Sequence, residues 1–287
     1  MSKPAHGHGA ELQALLQLME EEDAGIWKSV RRKLVELGEG AAAALLRAAD
    51  DTNPLISARA RAVLEEINSK VLERQFQALA ETPGGASSLE EGVFLLPRFA
   101  YPDYDSQPHR RGLDEMAEDI RKRLRRAREP DEQIEAVNFQ LFEVLGFRGN
   151  RENYYDPDNS FMNRVLERKL GIPISLSALY LFICRRLGLP VVGIGMPAHF
   201  LLRYDSEDYQ VYIDAFNGGR LLARHDCAQL LASFGFSFRE EYLQASSDAE
   251  ILIRMLRNLA QIYANGGEEQ RASRLHRFVE ILEKRRR

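Results

Sequence analysis

The segment ISLSALYLFICRRLG (174–188) constrains the fold most, because it predicts a helix that is apolar on nearly every side. A helix at the surface of a globular protein has a broad polar face. Here the polar side chains before the C-terminal arginines are two serines. We therefore expect this helix to lie in the centre of a domain. Strands are predicted nearby at VVGIG (191–195), which indicates an α+β fold with helices segregated from a small antiparallel sheet.

The segment HFLLRYDSEDYQVYID (199–214) predicts two antiparallel strands joined by a polar turn. A register that pairs Leu202 with Val211 makes one face of this hairpin apolar. It also places His199 directly across from Asp214, with Cβ atoms roughly 5 Å apart. A carboxylate there would hold the imidazole in one tautomer, as in the acid–base half of a nucleophilic triad. A buried histidine satisfied by a structural aspartate is the alternative interpretation.

Bulk composition excludes several classes of protein. The chain has 287 residues, of which 45% are hydrophobic, a formal charge of −4 and two cysteines. No apolar run is as long as a membrane span and the start lacks the apolar stretch of a signal peptide, so we expect a cytoplasmic protein without a membrane partner. Cys184 and Cys227 are too few for a disulfide framework or a structural zinc site. The sequence therefore predicts neither a metal nor a cofactor.

One basic segment, RKRLRRAR (121–128), raises the question of nucleic-acid binding. It follows the acidic segment DEMAED (114–119), so a helix would bring Glu118 to Lys122 and Asp119 to Arg123 at i,i+4 spacing. Nucleic-acid sites usually interleave aromatic residues with basic ones, which this segment does not. We therefore expect an internally paired, solvated helix and no nucleic-acid partner.

Three segments are predicted along the chain. Residues 1–82 contain short helices separated by tight turns, a pattern that resembles HEAT-type repeats. The turn-forming stretch TPGGASS (82–88) then separates them from an α+β region at 88–240. Residues 245–287 predict a helical hairpin with tetratricopeptide-like spacing. One such repeat cannot bury its own apolar face, so it must dock on the middle region or on a partner.

The middle region resembles the SirB-type transglutaminase-like family of bacteria, which is related to papain-like cysteine proteases and transglutaminases. Four stretches carry the resemblance: NFQLFEVLGFRGN (138–150), YYDPDNSFMNRVLERKLGIPISLSALY (154–180), RRLGLPVVGIGMPAHFLLRY (185–204) and YIDAFNGG (212–219). The resemblance implies a papain/transglutaminase-like core, in which a central helix begins with a catalytic cysteine and successive strands supply a histidine and an aspartate. His199 and Asp214 match the last two positions.

The cysteine position does not match. An ungapped alignment counted back from Arg185 and Gly188 places Pro173 there, with Ser175 and Ser177 in the next turn. A thiolate at a helix N-terminus is stabilised by the helix dipole and by a nearby imidazolium. A serine hydroxyl gains little from that position, and at a helix start it commonly caps the backbone.

Two hypotheses for the function follow. In the first, the domain has lost its nucleophile and serves as a binding, scaffolding or regulatory module for a protein or peptide. In the second, it is a serine-dependent hydrolase or acyl-transferase on amide or ester bonds, with Ser175 or Ser177 attacking and His199–Asp214 as base and orienting group. In this family the cleft is also lined by positions that match Asn159, Asn163 and Asn217, which could orient a bound amide. Capping and turn formation are the alternative roles for these residues.

Overall fold

The computed structural model describes residues 6–81 and 88–284. The chain divides into two compact units, residues 1–74 and 75–287. Apart from Ser88, the predicted linker TPGGASS (82–88) lies outside the described residues. The division into three segments stays a prediction.

The first unit is helical, as the apolar periodicity of its sequence predicts. Asp23 begins the second helix by accepting hydrogen bonds from the backbone N–H groups of Gly25 and Ile26, both at 2.8 Å. Asn53 caps the fourth helix, since its Oδ1 accepts from the Leu55 N–H at 3.0 Å. The helix after it is not short, as the sequence pattern predicts for this segment, but continues to Glu81. The helices that begin in this unit are α1 (His6–Gln17), α2 (Ala24–Leu37), α3 (Glu39–Ala49) and α4 (Pro54–Glu81).

The second unit surrounds the predicted central helix. Every residue of that helix from Pro173 to Cys184 is buried, which confirms its central position. None of the described helices is both long and apolar enough to cross a bilayer. The helices that begin here are α5 (Ser88–Leu95), α6 (Gln107–Leu124), α7 (Pro130–Asn138), α8 (Met162–Arg168), α9 (Pro173–Leu187), α10 (Arg224–Ser233), α11 (Asp248–Asn265) and α12 (Glu269–Glu283).

A small antiparallel sheet packs beside α9, which confirms the α+β class. The strands of this unit are β1 (Arg148–Gly149), β2 (Leu170–Gly171), β3 (Val191–Ile194), β4 (Leu201–Asp205), β5 (Gln210–Asp214), β6 (Arg220–Leu222) and β7 (Ala245–Ser246). The strand order of the antiparallel sheet is β6-β5-β4-β3-β7, and each neighbouring pair in it is antiparallel. The short strands β1 and β2 form a separate parallel pair.

The predicted register of the β4–β5 hairpin is wrong by two residues. Leu202 pairs with Ile213 rather than with Val211, and His199 lies before β4 begins. Side chains alternate with a period of two, so registers that differ by two residues bury the same face equally well. The apolar pattern therefore predicts the correct face but cannot choose the register. Turn geometry decides it, with the Ser206 N–H donating to the Tyr209 carbonyl at 3.1 Å.

The basic segment of α6 is ion-paired, but at i,i+3 spacing rather than at the predicted i,i+4. Lys122 Nζ lies 2.8 Å from Asp119 Oδ1. The predicted partner of that carboxylate, Arg123, instead places its guanidinium 4.5 Å from the centre of the Phe139 ring. Residues three and four apart on a helix are about equally close, so the cation–π contact is enough to change the pairing.

The C-terminal hairpin of α11 and α12 packs within the second unit. The Phe278 ring stacks on Phe76 with centroids 4.7 Å apart, and Tyr263 lies 5.9 Å from Phe99. The sequence allows the hairpin to dock either on the middle region or on a partner protein. These contacts show that it docks on residues of its own chain. Its likeness to a tetratricopeptide repeat stays a prediction.

Candidate functional site

A cleft of about 260 Å³ lies where the start of α9, the loop before β4 and one face of α11 meet. Pro173 and His199 both line this cleft, as does Tyr155, of which 68% is exposed. On the third side, α11 contributes Arg254 and Asn258. The C-terminal hairpin is thus a wall of the cleft, which the sequence did not predict.

His199 and Asp214 lie together although the predicted register is wrong. Nε2 of His199 lies 3.1 Å from Oδ2 of Asp214, an ion-pair distance without the alignment of a linear hydrogen bond. Both residues are buried, with 6% of His199 and 2% of Asp214 exposed. The preceding residue, Ala198, has a φ of +59°, so the chain turns through the left-handed region just before His199. This turn takes the place of the ladder pairing that the sequence suggested.

Asp214 is held by the residues that follow it. Asn217 donates from Nδ2 to Oδ2 at 2.7 Å and from its backbone N–H to Oδ1 at 3.3 Å. Arg151 in turn donates to the Asn217 side-chain oxygen. Burial alone would raise the pKa of Asp214, but His199 and the Asn217 hydrogen bonds outweigh it and lower the pKa below its usual value. Asn217 therefore positions the carboxylate.

Two aromatic rings flank the imidazole. Phe234 stacks on His199 with centroids 6.2 Å apart, and Phe216 meets it edge-on at 6.3 Å. A Cβ at Gly149 would lie 2.5 Å from a Phe216 ring carbon, so glycine is needed there for Phe216 to reach this position. Neither ring is predicted to lie there by the apolar periodicity, because both follow the hairpin in segments without a clear repeat.

Pro173 is the first residue of α9 and lies in the wall of the cleft. Neither of the two thiols lines the cleft. Cys184 and Cys227 are both buried, and burial raises the pKa of both thiols, that of Cys227 to about 12. A thiol in such surroundings stays protonated at neutral pH and is a weak nucleophile.

The two serines of α9 are fully buried and do not line the cleft. The Ser175 hydroxyl donates to the Asn159 carbonyl at 2.6 Å and accepts from the Ile172 N–H at 3.0 Å, as a helix cap does. The Ser177 Oγ has no hydrogen-bond partner within the described ranges. These positions give no support to a nucleophilic serine.

The remaining asparagine candidates lie inside the fold. Asn159 is fully buried and donates from Nδ2 to the carbonyls of Asn153 and Tyr154, at 2.7 and 3.1 Å. It therefore supports the loop that carries the tyrosines of the cleft. Asn163 is 5% exposed, and its Oδ1 finds no partner in the part of the chain that the structure describes.

The segment His225-Asp226-Cys227 does not form a metal site. His225 is exposed and lies beside Asp226, whereas Cys227 points into the apolar core. Among the described residues, no three His, Cys, Asp or Glu side chains converge as metal ligands would.

Two glycines after Asp214 provide a matched test of the loop that supports it. Gly218 and Gly219 both have positive φ, +70° and +76°. A Cβ at 218 meets open space, whereas one at 219 would lie 2.3 Å from the Asn138 Oδ1, which is held by the Tyr180 hydroxyl at 3.1 Å. We expect Gly218→Ala to lower the free energy of unfolding by about 1 kcal/mol and Gly219→Ala by about 3 kcal/mol. Urea unfolding of both variants measures this, and equal losses would contradict the packing described.

Comparison with known proteins agrees with this architecture. The family model of the transglutaminase-like superfamily matches residues 107–257. A UPF0162 protein of Xylella fastidiosa (strain 9a5c) is 34% identical over 205 residues, which cover 69% of this chain and 73% of the relative. Human F-box only protein 21 is 29% identical over 242 residues, or 74% of this chain and 38% of that protein. Protein SirB1 of Salmonella typhimurium is 27% identical over 146 residues, or 50% of this chain and 54% of the relative.

No solved structure gives a match to this chain. The family model nevertheless spans just over half of the residues, and it includes the central helix, His199, Asp214 and Arg254. Together with the UPF0162 and SirB1 relatives, this match makes the chain a member of the transglutaminase-like superfamily, of the SirB type.

Proposed function

We propose that this protein is a non-catalytic binding or scaffolding module whose cleft holds a short peptide segment of a partner protein. The observation that carries the proposal is Pro173, which lies at the start of α9 in the same cleft as His199. In this proposal Pro173 occupies the position of the family cysteine, which therefore has no nucleophile. In this proposal the protein acts in the cytoplasm, and its partner is neither a membrane nor a nucleic acid.

A proline at this position removes two catalytic groups. It has no thiol to be activated by the helix dipole and the imidazole. It also lacks a backbone N–H, and N–H groups at a helix start are common donors to the oxyanion of an acyl-transfer intermediate. Loss of both groups favours binding without turnover. The pair of His199 and Asp214 then stabilises the cleft and offers a polar contact to an amide.

The composition of the cleft fits a peptide. Tyr154 and Tyr155 offer aromatic surface, while Asn258 and Gln261 offer amide donors and acceptors. A volume of about 260 Å³ is near the lower limit of small-molecule sites, so it fits a few residues rather than a folded domain.

Binding of fluorescein-labelled tetrapeptide mixtures, followed by fluorescence polarisation, tests the proposal. We expect His199→Ala to weaken binding about tenfold, because it removes a central, buried contact. His225→Ala is the matched control, since that histidine is exposed and lies outside the cleft. Equal binding by wild type and His199→Ala, both folded by circular dichroism, would contradict the proposal.

A fluorophosphonate probe tests the serine-dependent alternative. Because Ser175 and Ser177 are fully buried, we expect neither to be labelled in the folded protein. Tryptic mapping by mass spectrometry identifies any adduct. An adduct on either serine that disappears in His199→Ala would favour the hydrolase and count against the binding module.

A further inference from the structure

Arg254 places a charged group in the wall of the cleft. Its Nη2 donates to the His199 carbonyl at 2.8 Å, and its guanidinium lies 5.5 Å from the centre of the Phe200 ring. The side chain is partly buried, and burial lowers the pKa of the guanidinium. Arginine starts from so high a pKa that the group stays charged at neutral pH.

This charge has no carboxylate partner within the described ranges. The other arginine in the middle of α11, Arg257, is exposed and forms an ion pair with Glu283. Arg254 has its carbonyl contact and its ring contact, and no Asp or Glu of the described residues lies within ion-pair distance of it. Buried or half-buried charges are usually paired, because desolvation without compensation is costly. A guanidinium left unpaired in a cleft is therefore placed to accept an anion from a ligand.

Arg254 itself lines the cleft, where a ligand would reach it. A Cβ at Gly195 would lie 3.4 Å from Arg254 Nη1 and 2.9 Å from the Ser246 Oγ, so the absence of a side chain there lets the guanidinium lie close to the backbone of Gly195. Asn258 and Gln261 follow Arg254 at i+4 and i+7 on the same face of α11, and both line the cleft. The guanidinium and the two side-chain amides thus form one polar stripe on α11 that faces the cleft.

We infer that Arg254 recognises a peptide carboxylate, so that the ligand of the cleft ends in a free C-terminus or presents an Asp or Glu side chain. The planar guanidinium has donors remaining after its bond to the His199 carbonyl, and these match the two oxygens of a carboxylate. Asn258 and Gln261 are spaced to contact the peptide units next to it. The inference names the ligand class for the proposed function and rests on it.

Three N-acetylated tetrapeptide mixtures separate the sources of the carboxylate. The first lacks Asp and Glu and has a free C-terminus. The second lacks both residues and is amidated at its C-terminus. The third is amidated and contains one Glu. Isothermal titration measures the binding of each mixture to the full-length protein and to Arg254→Gln, Arg254→Lys and Arg257→Gln.

We expect the amidated mixture without Glu to bind wild type at least tenfold more weakly than one of the two carboxylate mixtures. Arg254→Gln should weaken that carboxylate mixture about tenfold or more, because a charge-assisted hydrogen bond is lost. Arg254→Lys should recover part of the loss, and Arg257→Gln should bind as wild type does. The comparison of mixtures on wild type needs no variant, so it remains decisive if Arg254→Gln fails to fold.

Different results would overturn the proposed binding module and the inference about Arg254. If all three mixtures bind equally well and His199→Ala weakens them equally, the cleft binds peptides and the role of Arg254 is overturned. If no mixture binds, the binding module is overturned together with the inference. If peptides are cleaved and the carboxylate preference depends on Arg254, the inference stands while the non-catalytic role does not.

Discussion

Pro173→Cys is expected to create a thiol that reacts with iodoacetamide about tenfold faster at about pH 6 than the same thiol in a Pro173→Cys/His199→Ala protein. The start of α9 stabilises a thiolate in both proteins, and the imidazole does so only in the protein that keeps His199. If the imidazole lowers the thiol pKa from ~8.5 to ~6, the thiolate fraction at that pH rises by roughly a hundredfold. Each thiolate is then about tenfold less nucleophilic, which leaves a net gain of about tenfold.

The two native thiols provide the background of this experiment. Cys184 and Cys227 are buried with raised pKa values, so the wild-type protein should be alkylated slowly. Replacing a proline at the first position of a helix costs at most about 1 kcal/mol, so the variant should fold. Mass spectrometry of tryptic peptides assigns the adduct. Equal rates at position 173 with and without His199 would show that Pro173 does not occupy the nucleophile position.

Asp214→Ala is expected to lower the free energy of unfolding by about 3–5 kcal/mol near neutral pH, the largest stability effect that we predict. The change removes the partner of a buried imidazole and the acceptor of two Asn217 hydrogen bonds. Urea unfolding followed by circular dichroism measures the loss. Asp205→Ala is the control, because its carboxylate lies on the same hairpin but is more exposed. Similar losses at both positions would contradict the buried pair.

The contribution of Asp214 to the stability of the fold changes with pH in a definite direction. Its pKa is lower in the folded protein than in the unfolded chain, so its ionised form stabilises the fold. That stabilisation is complete above the unfolded value of about 3.9 and is lost as the pH falls through the folded pKa. We therefore expect the stability difference between wild type and Asp214→Asn to be present at about pH 5 and to narrow below about pH 4. A difference that has already disappeared at about pH 5 would contradict this account.

The sequence predicts the central helix of the second unit because its apolar composition is a property of one continuous segment. A helix that is apolar on all sides must be buried in a hydrophobic core, and α9 is buried as expected. The pairing of His199 with Asp214 was predicted from a register that is wrong by two residues. The two side chains still meet because the chain turns at Ala198, a feature that alternation of apolar residues cannot predict.

The other half of the cleft depends on packing between distant segments. Arg254 lies on the polar side of an amphipathic helix, where a solvated charge is the ordinary expectation. Nothing local indicates that this side would close over the start of α9. Phe234 likewise follows α10 in a stretch without periodicity and reaches His199 only through the tertiary fold. Contacts between residues that are far apart in the sequence leave no local pattern from which they could be predicted.

Turnover of the peptide mixtures tests the central claim most directly. Wild-type protein is incubated with each tetrapeptide mixture and with methylamine as an acceptor, and mass spectrometry follows hydrolysis and transamidation. We predict that peptides bind and that no product forms above the rate without protein. Product that forms with wild type and is lost in His199→Ala would contradict the account, because it would show a working nucleophile in the cleft.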